Sequence, residues 1–169
     1  MNKHKILVTI LGAAIVFASC KKSDVQHDAF QKANLTPSVT AQWKSLNNWS
    51  SQSEEKYTVY SNAVTDTNIT SSIASKGLVL AYKKTSNSIV ALPSDEKESN
   101  NSYLWYYQIS DGNIVFSADA YGQAEKPGAN QAFAYFVISP EKLKDLETKG
   151  YSKAQLMKLS YENAVALLK

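Results

Sequence analysis

Residues 102–120 read SYLWYYQISDGNIVFSADA, and this stretch decides the predicted fold. Two runs rich in β-forming residues meet at Asp111-Gly112, a dipeptide typical of two-residue type I′ hairpin turns, in which both turn residues have positive φ. A turn at this place pairs Ser110 with Asn113 and so predicts the register of the whole ribbon. The stretch therefore indicates a long antiparallel hairpin.

The predicted register places apolar and aromatic residues on one face of both strands. The successive pairs on that face are Ile109 with Ile114, Tyr107 with Phe116, Trp105 with Ala118, and Tyr103 with Ala120. The opposite face is mixed. A slip of one residue would move the two apolar sets to opposite faces, so the turn and the apolar pattern support each other. One face of the hairpin is therefore predicted to be buried.

The chain after residue 42 also predicts other strands, together with short helices. Strands are expected over 56–64, 78–84, 88–92 and 131–139, a short helix over 68–77, a polar loop over 94–101, and C-terminal helices over 141–148, 152–158 and 161–168. Strands dominate without regular β–α alternation, which favours antiparallel sheets. The fold class is predicted to be mainly β, an antiparallel β-sandwich of about six to seven strands with short C-terminal helices.

Local signals predict several element ends. Residues 131–139 carry apolar side chains at both parities, which indicates a central strand covered on both faces. Ser139 followed by Pro140 predicts a helix start, and the segment that begins at Ser152 has the spacing of a capping box. Gly77 is expected at the C′ position just past the 68–77 helix.

The first 19 residues have the pattern of an export signal. Lys3 and Lys5 precede an uncharged, mostly apolar run over residues 6–19, which is too short to span a bilayer but suits a signal peptide. The run ends at Cys20, the one cysteine of the chain. Small residues before a lone cysteine resemble a bacterial lipoprotein lipobox, although Phe17 stands where leucine is usual.

The lipobox resemblance implies cleavage before Cys20 and lipidation of its thiol. The alternative is ordinary cleavage after Ala18, which leaves a secreted protein with a free thiol. The predicted organisation is a lipoprotein signal peptide (1–19), a lipidated cysteine with a flexible tether (20–42), and one domain (43–169) whose helical appendage occupies about 140–169. Lys21 after the cysteine implies, by resemblance to lipoprotein sorting, anchorage in an outer membrane.

Charge argues against nucleic acid as a partner. The 18 basic residues are all lysine and are nearly balanced by 15 acidic residues. Removal of the signal also removes Lys3 and Lys5, so the mature chain is close to neutral. A nucleic-acid binder is expected to have a clustered basic face and, usually, arginine.

Groups suited to catalysis or metal binding are few. His27 is the one histidine beyond the signal, and it lies in the predicted tether, where a general base would not be held in place. Asp95, Glu96 and Glu98 could offer oxygen ligands to calcium, but their spacing matches no EF-hand loop. We therefore predict no catalytic residues, no metal site and no cofactor.

Aromatic residues are the more suggestive feature, because the chain has 10 tyrosines and 3 tryptophans. Aromatic rings with a polar tip are common where proteins bind glycans or other proteins. Tyr106 lies on the mixed face of the hairpin and Tyr121 opens the long loop expected over 121–130, so both are candidate ligand contacts. The alternative is that the hairpin aromatics fill the core and that Tyr106 merely covers the second sheet face.

Four features of the chain occur together: the lipobox, the tether, the segment from Ile69 to Tyr82 and the Ala-Leu-Pro sequence at residues 91–93. With them the chain resembles small β-sandwich lipoproteins of Bacteroidota, and the similarity covers most of residues 43–139. It implies the compartment and the fold, and no activity. We expect a lipid-anchored, non-catalytic binding or interaction module with an envelope protein or glycan as partner. The alternatives are an envelope glycan hydrolase with an unrecognised carboxylate pair and a passive structural subunit of an envelope complex.

A Cys20→Ser variant is expected to lose fatty-acid labelling and to stop sedimenting with membranes, because the lipid is the predicted anchor. Metabolic labelling and membrane fractionation measure the two effects. Unchanged fractionation of the variant would contradict the lipoprotein interpretation.

Overall fold

The structure, a computed structural model, describes residues 43–98, 101–122 and 125–168. The predicted signal peptide (1–19), Cys20, the tether (20–42) and His27 lie outside the described residues. The elements in chain order are β1 (Lys44–Leu46), β2 (Ser50–Ser53), β3 (Tyr57–Thr65), α1 (Ser71–Lys76), β4 (Leu78–Lys84), β5 (Ile89–Ala91), β6 (Ser94–Glu98), β7 (Asn101–Ser110), β8 (Asn113–Gly122), β9 (Gln131–Ile138), α2 (Pro140–Thr148), α3 (Lys153–Leu156) and α4 (Tyr161–Leu168).

The strands form two antiparallel sheets, which confirms that the protein is mainly β. A four-stranded sheet has the order β1-β9-β4-β5, and a five-stranded sheet has the order β2-β3-β8-β7-β6. The described residues contain nine strands, more than the six to seven expected. The additional strands β1, β2 and β6 are short and contain no β-branched or aromatic residue, so β-propensity did not reveal them.

The expectation of a polar loop over 94–101 is wrong, because Ser94–Glu98 forms the edge strand β6, which pairs with β7. Charged side chains on an edge strand discourage pairing with other chains. Glu96 lies on the core side of β6 and accepts a hydrogen bond from Lys83 Nζ at 2.7 Å. Lys83 Nζ also lies 4.6 Å from the ring centroid of Trp105. This ion pair, whose lysine is buried, connects the edge of the five-stranded sheet to β4 of the other sheet.

The β7–β8 hairpin has the predicted register along its whole length. The predicted type I′ turn is wrong, because only Gly112 of the two turn residues has positive φ, at 75°. Positive φ at the second turn position alone is typical of a type II turn. Two backbone hydrogen bonds with the loop at residues 66–69 hold the hairpin tip in place. The Gly112 N–H donates to the Ile69 carbonyl at 2.6 Å, and the Gly112 carbonyl accepts from the Asp66 N–H at 2.8 Å.

Aromatic rings from both sheets meet in one core. The ring centroid of Phe133 in β9 lies 4.4 Å from that of Phe116 and 5.6 Å from that of Trp105. The predicted apolar face of the hairpin faces this core, where six of its residues are at most 7% exposed: Tyr103, Trp105, Ile114, Phe116, Ala118 and Ala120. Trp105 and Phe116 therefore lie on the same side of the hairpin, as the register requires.

Strand β9 is the central strand that its two-sided apolar pattern predicts, since β1 and β4 flank it. Phe133 and Tyr135 belong to the core shared by the two sheets. Phe136 and Ile138, with the opposite parity, belong to a second cluster formed with the C-terminal helices. The four-stranded sheet is thus covered on both faces.

Helices α2 and α3 begin at the predicted caps. The Ser139 hydroxyl accepts from the Lys142 N–H ahead of Pro140, and Ser152 and Gln155 form a capping box. The helices pack on the four-stranded sheet through Leu143, Leu146, Leu156, Ala164 and Leu168. Trp43, which precedes β1, contacts Tyr161 of α4 with a ring-centroid distance of 5.1 Å. Within the described part of the chain, no helix has the length and apolar character needed to cross a membrane.

Gly77 does not have the left-handed C′ conformation expected from the sequence, because its φ is −81°. The need for glycine arises from close packing instead. A Cβ at this position would lie 2.7 Å from the carbonyl oxygen of Ile138. The chain therefore passes from α1 into β4 directly against β9.

We expect Phe133→Ala to lower the free energy of unfolding by about 3–5 kcal/mol, because it removes the ring that contacts both Phe116 and Trp105. Urea denaturation measures the change. Tyr151→Ala is the control, since this residue is 36% exposed and its loss should change stability by less than about 0.5 kcal/mol. Equal effects of the two substitutions would contradict the central role of Phe133.

Candidate functional site

The two sheets have four faces, and the core clusters cover three of them. One face of each sheet contributes to the shared core, and the helices cover the second face of the four-stranded sheet. Side chains on the second face of the five-stranded sheet belong to neither cluster of the described residues. We call this surface the open face.

The ladder pairing defines which residues lie side by side on the open face. The three rows farthest from the hairpin turn consist of Tyr57, Val59 and Ser61 on β3, Tyr121, Asp119 and Ser117 on β8, and Ser102, Leu104 and Tyr106 on β7. Directly paired side chains on one face of a sheet are close enough to contact each other. Three tyrosines thus surround one carboxylate on a sheet surface.

The contacts within this group are specific. The rings of Tyr57 and Tyr121 lie side by side, with centroids 5.3 Å apart and planes tilted by 39°. Tyr106 reaches diagonally across the ladder and donates its hydroxyl to Asp119 Oδ1 at 3.0 Å. We call these four residues the tyrosine face.

The surroundings raise the pKa of two tyrosine hydroxyls in this group, those of Tyr106 and Tyr121. Partial burial, together with the hydrogen bond to Asp119, raises the pKa of Tyr106 to about 12. The pKa of Tyr121 is also raised, by loss of solvent and by the charges of Asp119 and Asp95. At neutral pH the group therefore offers hydroxyl groups, half-exposed rings and a carboxylate that can accept hydrogen bonds.

Both sequence-predicted contact residues lie in this group. Tyr106 is half-buried, whereas Tyr121 is 37% exposed. Sequence reasoning missed Tyr57, because its neighbour Tyr121 lies 64 positions away in the printed chain and only the β3–β8 register joins them. Of the hairpin aromatics, Tyr103 and Trp105 are core residues, as the alternative interpretation expected.

Several other tyrosines use their hydroxyl groups inside the fold. Tyr82 donates to the Leu159 carbonyl, Tyr107 to the Val79 carbonyl and Tyr135 to the Asp66 carboxylate. Tyr103 donates to the Glu125 carbonyl. These residues fasten loops and strands to one another, so the high tyrosine content is largely structural.

The acidic segment 95–98 does not collect its carboxylates at one point. Asp95 lies on the open-face side of β6, whereas Glu96 lies on the core side and contacts Lys83. The side chain of Glu98 is outside the described set. Among the described residues, no group of three His, Cys, Asp or Glu side chains is arranged to hold a metal ion.

The depressions on the surface of the described residues include three that have no Asp or Glu in their lining. The first is a narrow crevice beside Tyr82 and Tyr107. The second, of about 470 Å³, is an apolar groove around Pro93 and Met157. The third, of about 430 Å³, is polar and lies beneath the β1–β2 connection.

Comparison of the chain with protein-family models, with curated proteins and with solved structures finds no match. The tyrosine face is therefore interpreted from its own geometry.

The raised pKa of Tyr106 makes a prediction for alkaline stability. Its hydroxyl contributes fully to stability below the unfolded pKa of about 10, and this contribution is lost as the pH rises through about 12. We expect Tyr106→Phe to flatten the fall in unfolding free energy over this range, measured by urea denaturation. Tyr151→Phe, at an exposed loop position, should follow the wild type, and an unchanged slope in Tyr106→Phe would contradict the assignment.

Proposed function

We propose that this chain is a lipid-anchored, non-catalytic binding module of the cell envelope whose ligand is bound on the tyrosine face. One observation carries the proposal. Three sheet faces are covered by protein, and the fourth presents Tyr57, Tyr106 and Tyr121 around Asp119. Aromatic side chains with polar tips supply apolar area and hydrogen bonds together, as binding surfaces require.

The proposed architecture is an antiparallel β-sandwich. Support comes from the ring contacts of Phe133 in one sheet with Trp105 and Phe116 in the other. The hydroxyl group of Tyr107 in β7 also donates to the carbonyl of Val79 in β4. A sandwich gives the tyrosine face a rigid support, since its strands are held from behind by the core.

The proposed anchor is lipid on Cys20, with the protein in an outer membrane. Support comes from the sequence alone, through the lipobox pattern, the lysine that follows the cysteine and the resemblance to Bacteroidota lipoproteins. Anchorage would hold the binding surface close to envelope polymers and proteins.

The non-catalytic part of the proposal is supported by the arrangement of acids. A glycan hydrolase needs two carboxyl groups about 5 to 9.5 Å apart on either side of the bond that is cleaved. Asp119 is already hydrogen-bonded to Tyr106, and Glu96 is already paired with Lys83. Turnover of an envelope polymer by the purified protein would favour the hydrolase instead.

We expect Tyr121→Ala to weaken binding to envelope material by about tenfold or more, because its ring is the most exposed aromatic contact of the tyrosine face. Pull-down of cell-envelope extract on the immobilised full-length chain, with bound material quantified, measures the loss. Tyr151→Ala is a matched control, since the two tyrosines are 36% and 37% exposed and Tyr151 lies away from this face.

Equal binding by both variants would contradict the assignment of the site. Co-purification of a fixed envelope complex that survives Tyr121→Ala would favour the passive structural subunit.

A further inference from the structure

The polar depression beneath the β1–β2 connection continues the tyrosine face along β3. We call it the polar notch, and its polar lining residues are Ser45, Asn47, Asn48, Ser50, Ser61 and Asn62. Ser61 lies on the open face in the same row of alternating positions as Tyr57 and Val59. At about 3.4 Å per residue, Ser61 is about 14 Å from Tyr57 along the strand. The two features are therefore parts of one elongated surface.

The notch exists because β2 is shorter than β3. β2 pairs only with residues 58–61 of β3, so Asn62 and Ala63 extend past its end. The chain then crosses from Leu46 to Ser50, held by a hydrogen bond from the Asn62 side chain to the Asn48 carbonyl at 2.8 Å. The hydroxyl groups of Ser50 and Ser61 lie 3.1 Å apart at the inner edge.

The lining of the notch contains no ionisable side chain. Amide and hydroxyl groups both donate and accept hydrogen bonds. The side chain of Asn48 is exposed and makes no hydrogen bond within the described residues, so it is free to bind a ligand. At the other end, Asp119 and Asp95 add negative charge beside the rings, which disfavours an acidic ligand.

The geometry points to an uncharged linear oligosaccharide that lies along β3, with its apolar ring faces on Tyr57 and Tyr121 and its hydroxyl groups in the polar notch. This inference rests on the proposed binding function and names the ligand class of the same surface. Sugar hydroxyl groups match the mixed donors and acceptors of the notch, and the neutral lining matches a neutral chain. The separation of about 14 Å requires several linked sugar units.

The test is calorimetric titration of the full-length chain in detergent with neutral gluco-, xylo- and manno-oligosaccharides of increasing length. We expect affinity to rise with length until the chain reaches the notch. Asn48→Ala should weaken binding of the long oligosaccharides about three- to tenfold, as expected for one lost hydrogen bond, and leave the shortest binders unchanged. Tyr121→Ala should weaken binding of the long oligosaccharides and of the shortest binders alike.

Three results would overturn this inference while leaving the proposed function intact. They are the absence of binding to any neutral oligosaccharide, equal binding of acidic oligosaccharides such as oligogalacturonate, and equal binding of a neutral Ser- and Asn-rich peptide. The control Asn87→Ala lies in the exposed turn between β4 and β5 of the other sheet and should bind as wild type. If Tyr121→Ala also retained binding of envelope material, the proposed function would fail as well.

Discussion

The ring of Phe133 is the contact on which the structure most depends. It lies in the central strand of one sheet and meets Phe116 and Trp105 on two adjacent strands of the other, while Trp49 approaches from the connection between β1 and β2. Interlocking aromatic rings bury large areas and prefer tilted geometries, so they fix how two sheets sit against each other. The open face is supported because this contact holds its strands from behind.

The parts of the fold that could be predicted are those set by local pattern. The hairpin register followed from Asp111-Gly112 and from alternation, and the helix starts followed from Ser139 and Ser152. The turn type did not, because it depends on hydrogen bonds between Gly112 and the loop at Asp66 and Ile69, more than 40 residues earlier. The sequence of the turn does not indicate backbone hydrogen bonds of this kind.

The difference between local pattern and long-range contact also explains why the sequence did not reveal the edge strand β6 or the residue Tyr57. From the sequence, Glu96 is expected to be a solvated loop residue. Its ion pair with Lys83 forms only because two strands of different sheets bring the side chains together. Tyr106 could be found from the sequence because it follows the hairpin pattern. Tyr121 was expected at the start of a loop, and this expectation is wrong, because β8 continues through it to Gly122. Tyr57 could not be found from the sequence, because its contact with Tyr121 requires the β3–β8 pairing. Long-range pairing is the information that a pattern of single residues lacks.

The contact between Trp43 and Tyr161 determines on which side of the domain the described chain begins. It fixes the start of the described chain on the helical layer, and the shared core separates that layer from the tyrosines of the open face. The start of the described chain and the tyrosine face therefore lie on opposite sides of the shared core.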